Sequence, residues 1–366
     1  MRVVIAGGGT GGHVFPGIAL AEEVVTRHPA NEVLFVGTRR GLEATLVPKA
    51  GYPIEFVDVT GVKGKGLWGA LAGLFRLPRA VVQSVRILRR ARPDVVVGVG
   101  GYASFPVVLA ACFLGIPTAI QEQNAFPGLT NRVLGVFARA VFVAFDEAAT
   151  HFPARKTHVV GNPIRKALFE NFLRPRTRHE SFRILVFGGS QGARAINRAA
   201  IEAFRLLRER PDSLEILHQT GKADEEEVRR AYEEEGIAAR VVSFIEDMSA
   251  AYAWADLVIC RAGATTVAEI AVCKKASILV PYPHAANDHQ TLNAKALVEK
   301  GAARMIPQSE LTGARLAEEI RHLLEHPEER ERMERMAGLF GRPEAAKEIA
   351  DVCATLVIRG REQKAG

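Results

Sequence analysis

Two stretches of this 366-residue chain carry the residue types that hold phosphate groups. Gly7-Gly8-Gly9-Thr10-Gly11-Gly12 follows the apolar run Arg2–Ala6, and Gly188-Gly189-Ser190-Gln191-Gly192 follows Arg183–Phe187. A strand that runs through a glycine-rich turn into a helix lets backbone N–H groups approach a phosphate, and the helix start adds partial positive charge. Gly7-x-Gly9-x-x-Gly12 also spells a dinucleotide fingerprint. Its usual companion is missing, because the second strand ends Val36-Gly37-Thr38 where an NAD enzyme places Asp or Glu. Arg39 and Arg40 come next, so an NADP-dependent reductase stays open, as does a tight turn with no ligand.

His13 and Glu269 are the titratable residues best placed for chemistry or binding. Pro16 suits a first helical turn, which puts His13 just ahead of a helix and at the C-terminal edge of a parallel sheet. Ligands bind at that edge. Glu269 lies on a helical pattern after the turn Arg261–Thr266. Taken alone, a loop histidine is more often a structural hydrogen-bonder and a helical glutamate more often just solvated. No DxD, HExxH, dense His/carboxylate cluster or GxSxG elbow occurs, so neither a metal nor a serine nucleophile is expected. Cys112, Cys260, Cys273 and Cys353 form no CxxC pair and read as small buried hydrophobes.

The net charge of +7 is unevenly spread. Residues 1–163 hold 17 Lys/Arg against 10 Asp/Glu, while residues 164–366 hold 31 of each. An anionic partner for the first half is implied. Between Val59 and Pro93 stand Lys63, Lys65, Arg76, Arg79, Arg86, Arg89, Arg90 and Arg92 with no acid. Leu67, Trp68, Leu71, Leu74, Phe75 and Leu77 interleave with them, the composition of a segment lying on an anionic membrane surface. A solvated helix face is the alternative. No nucleic-acid module is recognisable. Met1–Ala6 is too short for a signal peptide. The uncharged stretch Val95–Gln121 is broken by six Gly and Pro residues, so it reads as strand, loop, helix and strand rather than a membrane span.

Elements that position these residues alternate along the chain. Strands are expected at Arg2–Ala6, Glu32–Gly37, Ile54–Val59, Asp94–Gly98, Thr118–Gln121 and Ala140–Ala144. The pattern restarts at Phe182–Phe187, Leu214–Gln219, Arg240–Phe244, Asp256–Cys260 and Ser277–Val280. Amphipathic helices such as Gly17–Arg27 and Ala223–Gly236 lie between. This α/β alternation predicts two doubly wound parallel domains. Their expected extents are 1–162 and 163–342, with Asn171–Ser181 as linker or surface loop. A last helix near Pro343–Val357 could pack on either domain, ahead of a frayed tail Arg359–Gly366.

Together the motifs resemble the MurG family of peptidoglycan N-acetylglucosaminyltransferases. The resemblance rests on Gly7–Pro16, Gly100–Tyr102 with Ser104, Glu122–Asn124, Gly128–Asn131, Val160–Arg165, Gly188–Arg194, Phe244–Met248, Ala251–Asp256, Gly263–Glu269 and His289-Gln290 with Asn293-Ala294. These are collinear over nearly the whole chain. The resemblance implies a GT-B fold of two Rossmann-like domains with a cleft between. It implies inverting transfer of GlcNAc from UDP-GlcNAc to the C4 hydroxyl of the muramoyl sugar of undecaprenyl-diphospho-MurNAc-pentapeptide, without metal or cofactor, at the cytoplasmic face of the bacterial inner membrane. Ser190 and Arg165, in the C-terminal domain, would contact the diphosphate, Gln191 would also bind substrate, and Ala264, Thr265 and Thr266 would head a helix facing the diphosphate. Ile245 would meet uracil and Glu269 the ribose. His289, Gln290 and Asn124 would hold GlcNAc. Thr10, Gly11, Gly12 and His13 would line the acceptor side, with Tyr102, Glu122 and Asn131 nearby. His13 is the expected general base and Glu122 the next candidate.

Overall fold

The computed structural model describes residues 1–59, 66–170, 181–208 and 214–365, and their side chains apart from 66–76, 169–170 and 363–365. The chain divides into two units. One comprises Met1–Arg165 with Pro343–Gly366, the other Lys166–Arg342. Most of the expected linker (171–180) lies outside the described residues, as do Lys63 and Lys65 and the side chains of Trp68, Phe75 and their neighbours.

The first unit is built on seven parallel strands, β1 (Arg2–Ala6), β2 (Glu32–Gly37), β3 (Ile54–Phe56), β4 (Val95–Gly98), β5 (Thr118–Glu122), β6 (Ala140–Val143) and β7 (Thr157–Val159). Their order is β3-β2-β1-β4-β5-β6-β7. Ile5 of β1 stands opposite Phe35 of β2 and Val97 of β4. Alternate side chains leave on opposite faces, and helices cover both. Val3, Ile5, Val97 and Phe142 join Val14, Ile18 and Val24 of the helix Gly11–Arg27. Val4, Ala6, Val96 and Val141 join Val107 and Ala111 of the helix Ser104–Phe113 and Leu88 of the helix Gly66–Ala91. A strand buried on both faces must be apolar throughout, which is why β1 and β4 were legible as short apolar runs.

The second unit repeats the plan with β8 (Phe182–Phe187), β9 (Leu214–Gln219), β10 (Ala239–Val242), β11 (Leu257–Cys260), β12 (Ala276–Leu279) and β13 (Arg304–Met305). All pair in parallel, in the order β10-β9-β8-β11-β12-β13.

Several expectations need correction. β3 stops at Phe56, three residues short. β7 and β13 were not expected, and both are edge strands of two or three residues with too little pattern to read. The first helix starts at Gly11 rather than Gly17, with Pro16 inside it. Proline removes one N–H, and the carbonyl it leaves unpaired belongs to Gly12, still in the first turn. The expected frayed tail is helical instead. The helix Ala345–Ala365 packs Ile349, Ala350, Cys353 and Val357 into the first unit's core, and Arg361 bonds Asp94 at 2.9 Å.

Candidate functional site

Strand order reverses between β1 and β4 in one unit and between β8 and β11 in the other. At such a switch point, loops leave the strand ends in opposite directions and open a ligand crevice. The candidate residues gather at these two places.

In the first unit the loop after β1 meets the loop after β4 backbone to backbone. Gly8 N–H donates to the Gly100 carbonyl at 3.2 Å. A Cβ on Gly101, which has φ +80°, would stand 2.1 Å from the Gly8 oxygen. His13 is the third residue of the helix, not ahead of it, and its N–H closes onto the Thr10 carbonyl at 3.1 Å. Its imidazole is half-buried beside Gly100, where a Cβ would come within 2.7 Å of Cδ2 and 3.0 Å of Nε2. Nδ1 lies 3.2 Å from the Thr10 hydroxyl. Gly100 thus makes room for the ring, and Thr10 sets its rotation. Tyr102, on the same loop as Gly100, is exposed.

Sequence reasoning missed Glu43. Its carboxylate, 1% exposed, accepts from Gly9 N–H at 2.6 Å and from the Thr38 N–H and hydroxyl at 2.8 Å each. The glycine loop is therefore held from below by a buried anion. This weighs against the dinucleotide alternative, since a carboxylate fills the place at the end of β2 where a ribose would be bound. Arg39 does not reach for a phosphate, its guanidinium lying over the Phe56 ring at 4.8 Å.

Glu122, the second candidate base, is 2% exposed and accepts four bonds. The donors are Asn124 N–H at 3.0 Å and its Nδ2 at 3.1 Å, Gly128 N–H at 3.0 Å, and Asn131 Nδ2 at 2.9 Å. A carboxylate so engaged is an anchor for the 124–128 loop. Asn131 is likewise buried and also donates to the Gln121 carbonyl. It supports Glu122 and does not face outward as expected of a substrate contact. Arg165, assigned above to the second domain, belongs to the first unit. The preceding Val160 and Ile164 are buried, and its exposed guanidinium lies 5.4 Å over the Phe15 ring on the His13 helix.

In the second unit the loop Gly188–Gly192 presents Ser190 and Gln191 to solvent. Gly192 has φ +76° and passes so close to β9's end that a Cβ would overlap the Thr220 carbonyl. Gln219 ties that end to the Ser243 carbonyl at 2.9 Å, just before half-buried Ile245. After β11, Gly263 precedes the helix Ala264–Val272, whose first N–H groups include Ala264, Thr265 and Thr266. The Thr265 hydroxyl is buried with no bonding partner among the described residues. Two side chains pin this turn. Asn293 donates to the Ala262 carbonyl at 3.2 Å, and Arg261 donates to the carbonyls of Val280 and Pro281. Glu269, half-buried on the same helix, accepts from the Tyr252 hydroxyl at 3.0 Å.

His289 and Gln290 open the helix His289–Val298. Asn287 and Asp288 before them adopt left-handed backbone, φ +56° and +52°, a costly arrangement characteristic of functional loops. His289 Nδ1–H donates to the Ala286 carbonyl at 2.7 Å, which leaves Nε2 as the ring nitrogen outside this bond. Gln290 Oε1 accepts from Tyr282 N–H at 3.0 Å, which leaves its amide NH₂ pointing away as a donor. Among the described residues no group of three or more His, Cys, Asp or Glu is arranged to hold a metal ion, and no helix is long and apolar enough to cross a membrane.

Known proteins match along the full length. The glycosyltransferase family 28 N-terminal domain matches residues 3–143 and the family 28 C-terminal domain residues 183–349. A UDP-N-acetylglucosamine--N-acetylmuramyl-(pentapeptide) pyrophosphoryl-undecaprenol N-acetylglucosamine transferase of Myxococcus xanthus is 61% identical, over 99% of this chain and 96% of its own. The transferase of the same name from Anaeromyxobacter dehalogenans is 63% identical, over 98% and 94%. The crystal structure of Acinetobacter baumannii MurG superposes with a TM-score of 0.79 at 33% identity, over 97% of this chain and 99% of that one.

Proposed function

The chain belongs to glycosyltransferase family 28, among its MurG transferases, and from that premise we propose that it moves GlcNAc from UDP-GlcNAc to the C4 hydroxyl of the MurNAc of undecaprenyl-diphospho-MurNAc-pentapeptide. The observation that carries the reading is the pair of switch-point sites, one built around an imidazole and the other around a helix start and a carboxylate.

In the donor half, the first N–H groups of the helix Ala264–Val272, with Ser190 and Gln191, receive the diphosphate. Glu269 accepts from the ribose hydroxyls, and the backbone at Ile245 reads uracil. Gln290 donates to a sugar hydroxyl through its NH₂, His289 accepts through Nε2, and Asn124 adds a contact. In the acceptor half, Thr10, Gly11, Gly12 and Tyr102 line the path of the muramoyl sugar.

A sugar hydroxyl attacks poorly until its proton has a destination. When His13 Nδ1–H donates to Thr10 Oγ1, Nε2 is left basic and accepts that proton. The C4 oxygen forms its bond to C1 of GlcNAc as the C1–O bond to the β-phosphate breaks. That electron pair leaves with UDP, and the anomeric centre inverts. The charge growing on UDP is stabilised by the helix N-terminus and by Arg165. Glu122 holds Asn124 in place and takes no proton.

The same chain docks on the anionic cytoplasmic leaflet through its first unit. Arg79, Arg86 and Arg89 are exposed on the helix Gly66–Ala91, while Arg90 is engaged by Glu55. The helix Ser104–Phe113 packs against that helix and exposes Phe113, and the helix Leu129–Phe137 packs against Ser104–Phe113 in turn and exposes Leu129, Val136 and Phe137. Exposed cations and exposed apolar groups on successive packed helices fit an interfacial surface.

Titration with UDP-GlcNAc, UDP and NADPH, followed by transfer of labelled GlcNAc to a lipid-linked muramoyl pentapeptide, tests the reading. UDP-GlcNAc and UDP are expected to bind and label to transfer. Glu269→Ala is expected to weaken UDP-GlcNAc by about 1.5–3 kcal/mol, the range for hydrogen bonds to a charged group. Binding of NADPH alone, or no transfer by folded protein, overturns it.

A further inference from the structure

Tyr252 lies on the helix Met248–Trp254, outside every role assigned above. Its ring is wholly buried, and Phe187 from the end of β8 meets it edge-on at 6.1 Å. Asp247 caps its helix through Ala250 N–H, and the Ser249 hydroxyl ties the helix to the Leu168 carbonyl at 3.0 Å. The ring therefore has one place to be. A buried hydroxyl needs a partner, and this one finds it in Glu269 Oε2 at 3.0 Å. Phenylalanine would fill the same volume without that requirement.

A glutamate at the edge of a site has three side-chain torsions to settle before its carboxylate can meet two vicinal hydroxyls at once. A donor fixed from behind settles them in advance. We propose that Tyr252 is a positioning residue for ribose recognition, holding Glu269 so that its carboxylate is presented to the 2′ and 3′ hydroxyls of the donor nucleotide. The inference rests on the reading of Glu269 as the ribose acceptor. Burial and the adjacent carboxylate push the Tyr252 hydroxyl well above its ordinary pKa, so it stays a donor throughout the working range. The contact is made to one carboxylate oxygen, Oε2, and orients the group.

The test compares dissociation constants of UDP and 2′-deoxy-UDP for the full chain, Tyr252→Phe, Glu269→Ala and the double variant. Tyr252→Phe is expected to raise the Kd of UDP about 3- to 10-fold, the span of one ordinary hydrogen bond, and that of 2′-deoxy-UDP less than about 2-fold. The preference for ribose then shrinks. The ratio of the two constants, taken on one preparation, is independent of how much of it is folded. Adding Tyr252→Phe to Glu269→Ala is expected to change nothing further. An unchanged ratio in Tyr252→Phe, whether both constants rise together or neither moves, overturns the role of Tyr252 while Glu269→Ala still abolishes the preference. If Glu269→Ala keeps the preference, the ribose reading itself falls and this inference with it.

Discussion

Gly9 N–H points into the Glu43 carboxylate at 2.6 Å, and the same group takes both donors of Thr38. Dinucleotide enzymes keep an acid at the end of the second strand to bind cofactor ribose. Here the acid comes from the helix Glu43–Lys49 and turns onto the protein's own loop. Gly8, between β1 and the His13 helix, and Gly41, just ahead of the helix Glu43–Lys49, leave room for it, since a Cβ on either would overlap its carboxylate.

Wild-type protein is therefore expected to show no saturable NADPH binding below about 1 mM, a threshold of about 4 kcal/mol. Glu43→Ala strands three donors and is expected to cost about 1–3 kcal/mol of stability, read as a lower urea midpoint at unchanged slope. Micromolar NADPH affinity would contradict the assignment.

His13→Ala is expected to lower kcat about 10²–10⁴-fold, the usual span for general acid–base catalysis, with little change in UDP-GlcNAc affinity. His13→Asn keeps a polar side chain but no base, so it should fall equally. Thr10→Val removes the group beside Nδ1 and is expected to give a smaller loss. Glu122→Gln sets an amide NH₂ against donors and should act through loop order and stability, leaving the acid limb of the pH–rate profile where it was. A near-native kcat in His13→Asn would reduce the histidine to a positioning role.

His218 makes stability depend on pH. It is wholly buried in the second unit, between the Tyr232 hydroxyl at 2.8 Å and Asn197 Oδ1 at 3.1 Å, and burial pushes its pKa down from 6.5 to about 3. The folded state therefore refuses a proton that the unfolded chain accepts. Its contribution is complete above about pH 6.5 and is lost as pH falls toward 3, with a slope of up to about 1.4 kcal/mol per pH unit. Urea midpoints at pH 7.5, 6 and 5 measure this. His218→Gln is expected to be less stable at neutral pH but to have a shallower dependence. Equal slopes would remove His218 as the cause.

Replacing Arg86 and Arg89 by Gln is expected to weaken binding to anionic vesicles by about 1 kcal/mol each at low salt, less at higher salt. Arg90→Gln should matter less because Glu55 already engages it. Phe113→Ser and Phe137→Ser should weaken binding independently of salt. Vesicle affinity insensitive to the changes at Arg86, Arg89, Phe113 and Phe137 would make these an ordinary solvated surface.

The glycine turns were legible because few other residues tolerate their backbone, and β1 and β8 because strands covered on both faces must be apolar. Glu43 was illegible for the opposite reason. It reads as a common acid at a helix start, and nothing local shows that its partner is Gly9. Glu122 and Asn131 were found by motif as a candidate base and a substrate neighbour, and a motif records residue types and not the direction of a side chain. Arg165 was placed one unit too late because its segment ends the first unit's core with no change of composition. The tail was read as frayed from its terminal position, whereas Arg361 has Asp94 to meet. Edge strands as short as β7 and β13 leave no periodicity to detect.

The helix Ala345–Ala365 brings both ends of the chain into the same unit. The second unit is thus an insertion, entered after Arg165 and left before Pro343. A fragment cut at Arg165 loses Ile349, Ala350, Cys353 and Val357 from its interior and exposes the face of the Gly11–Arg27 helix they cover. It is expected to aggregate, while 166–342 is the piece to express alone. Tension applied between the two termini passes through the first unit only. In a single-molecule pull that unit yields first, and the second comes under load only after the terminal helix has peeled away.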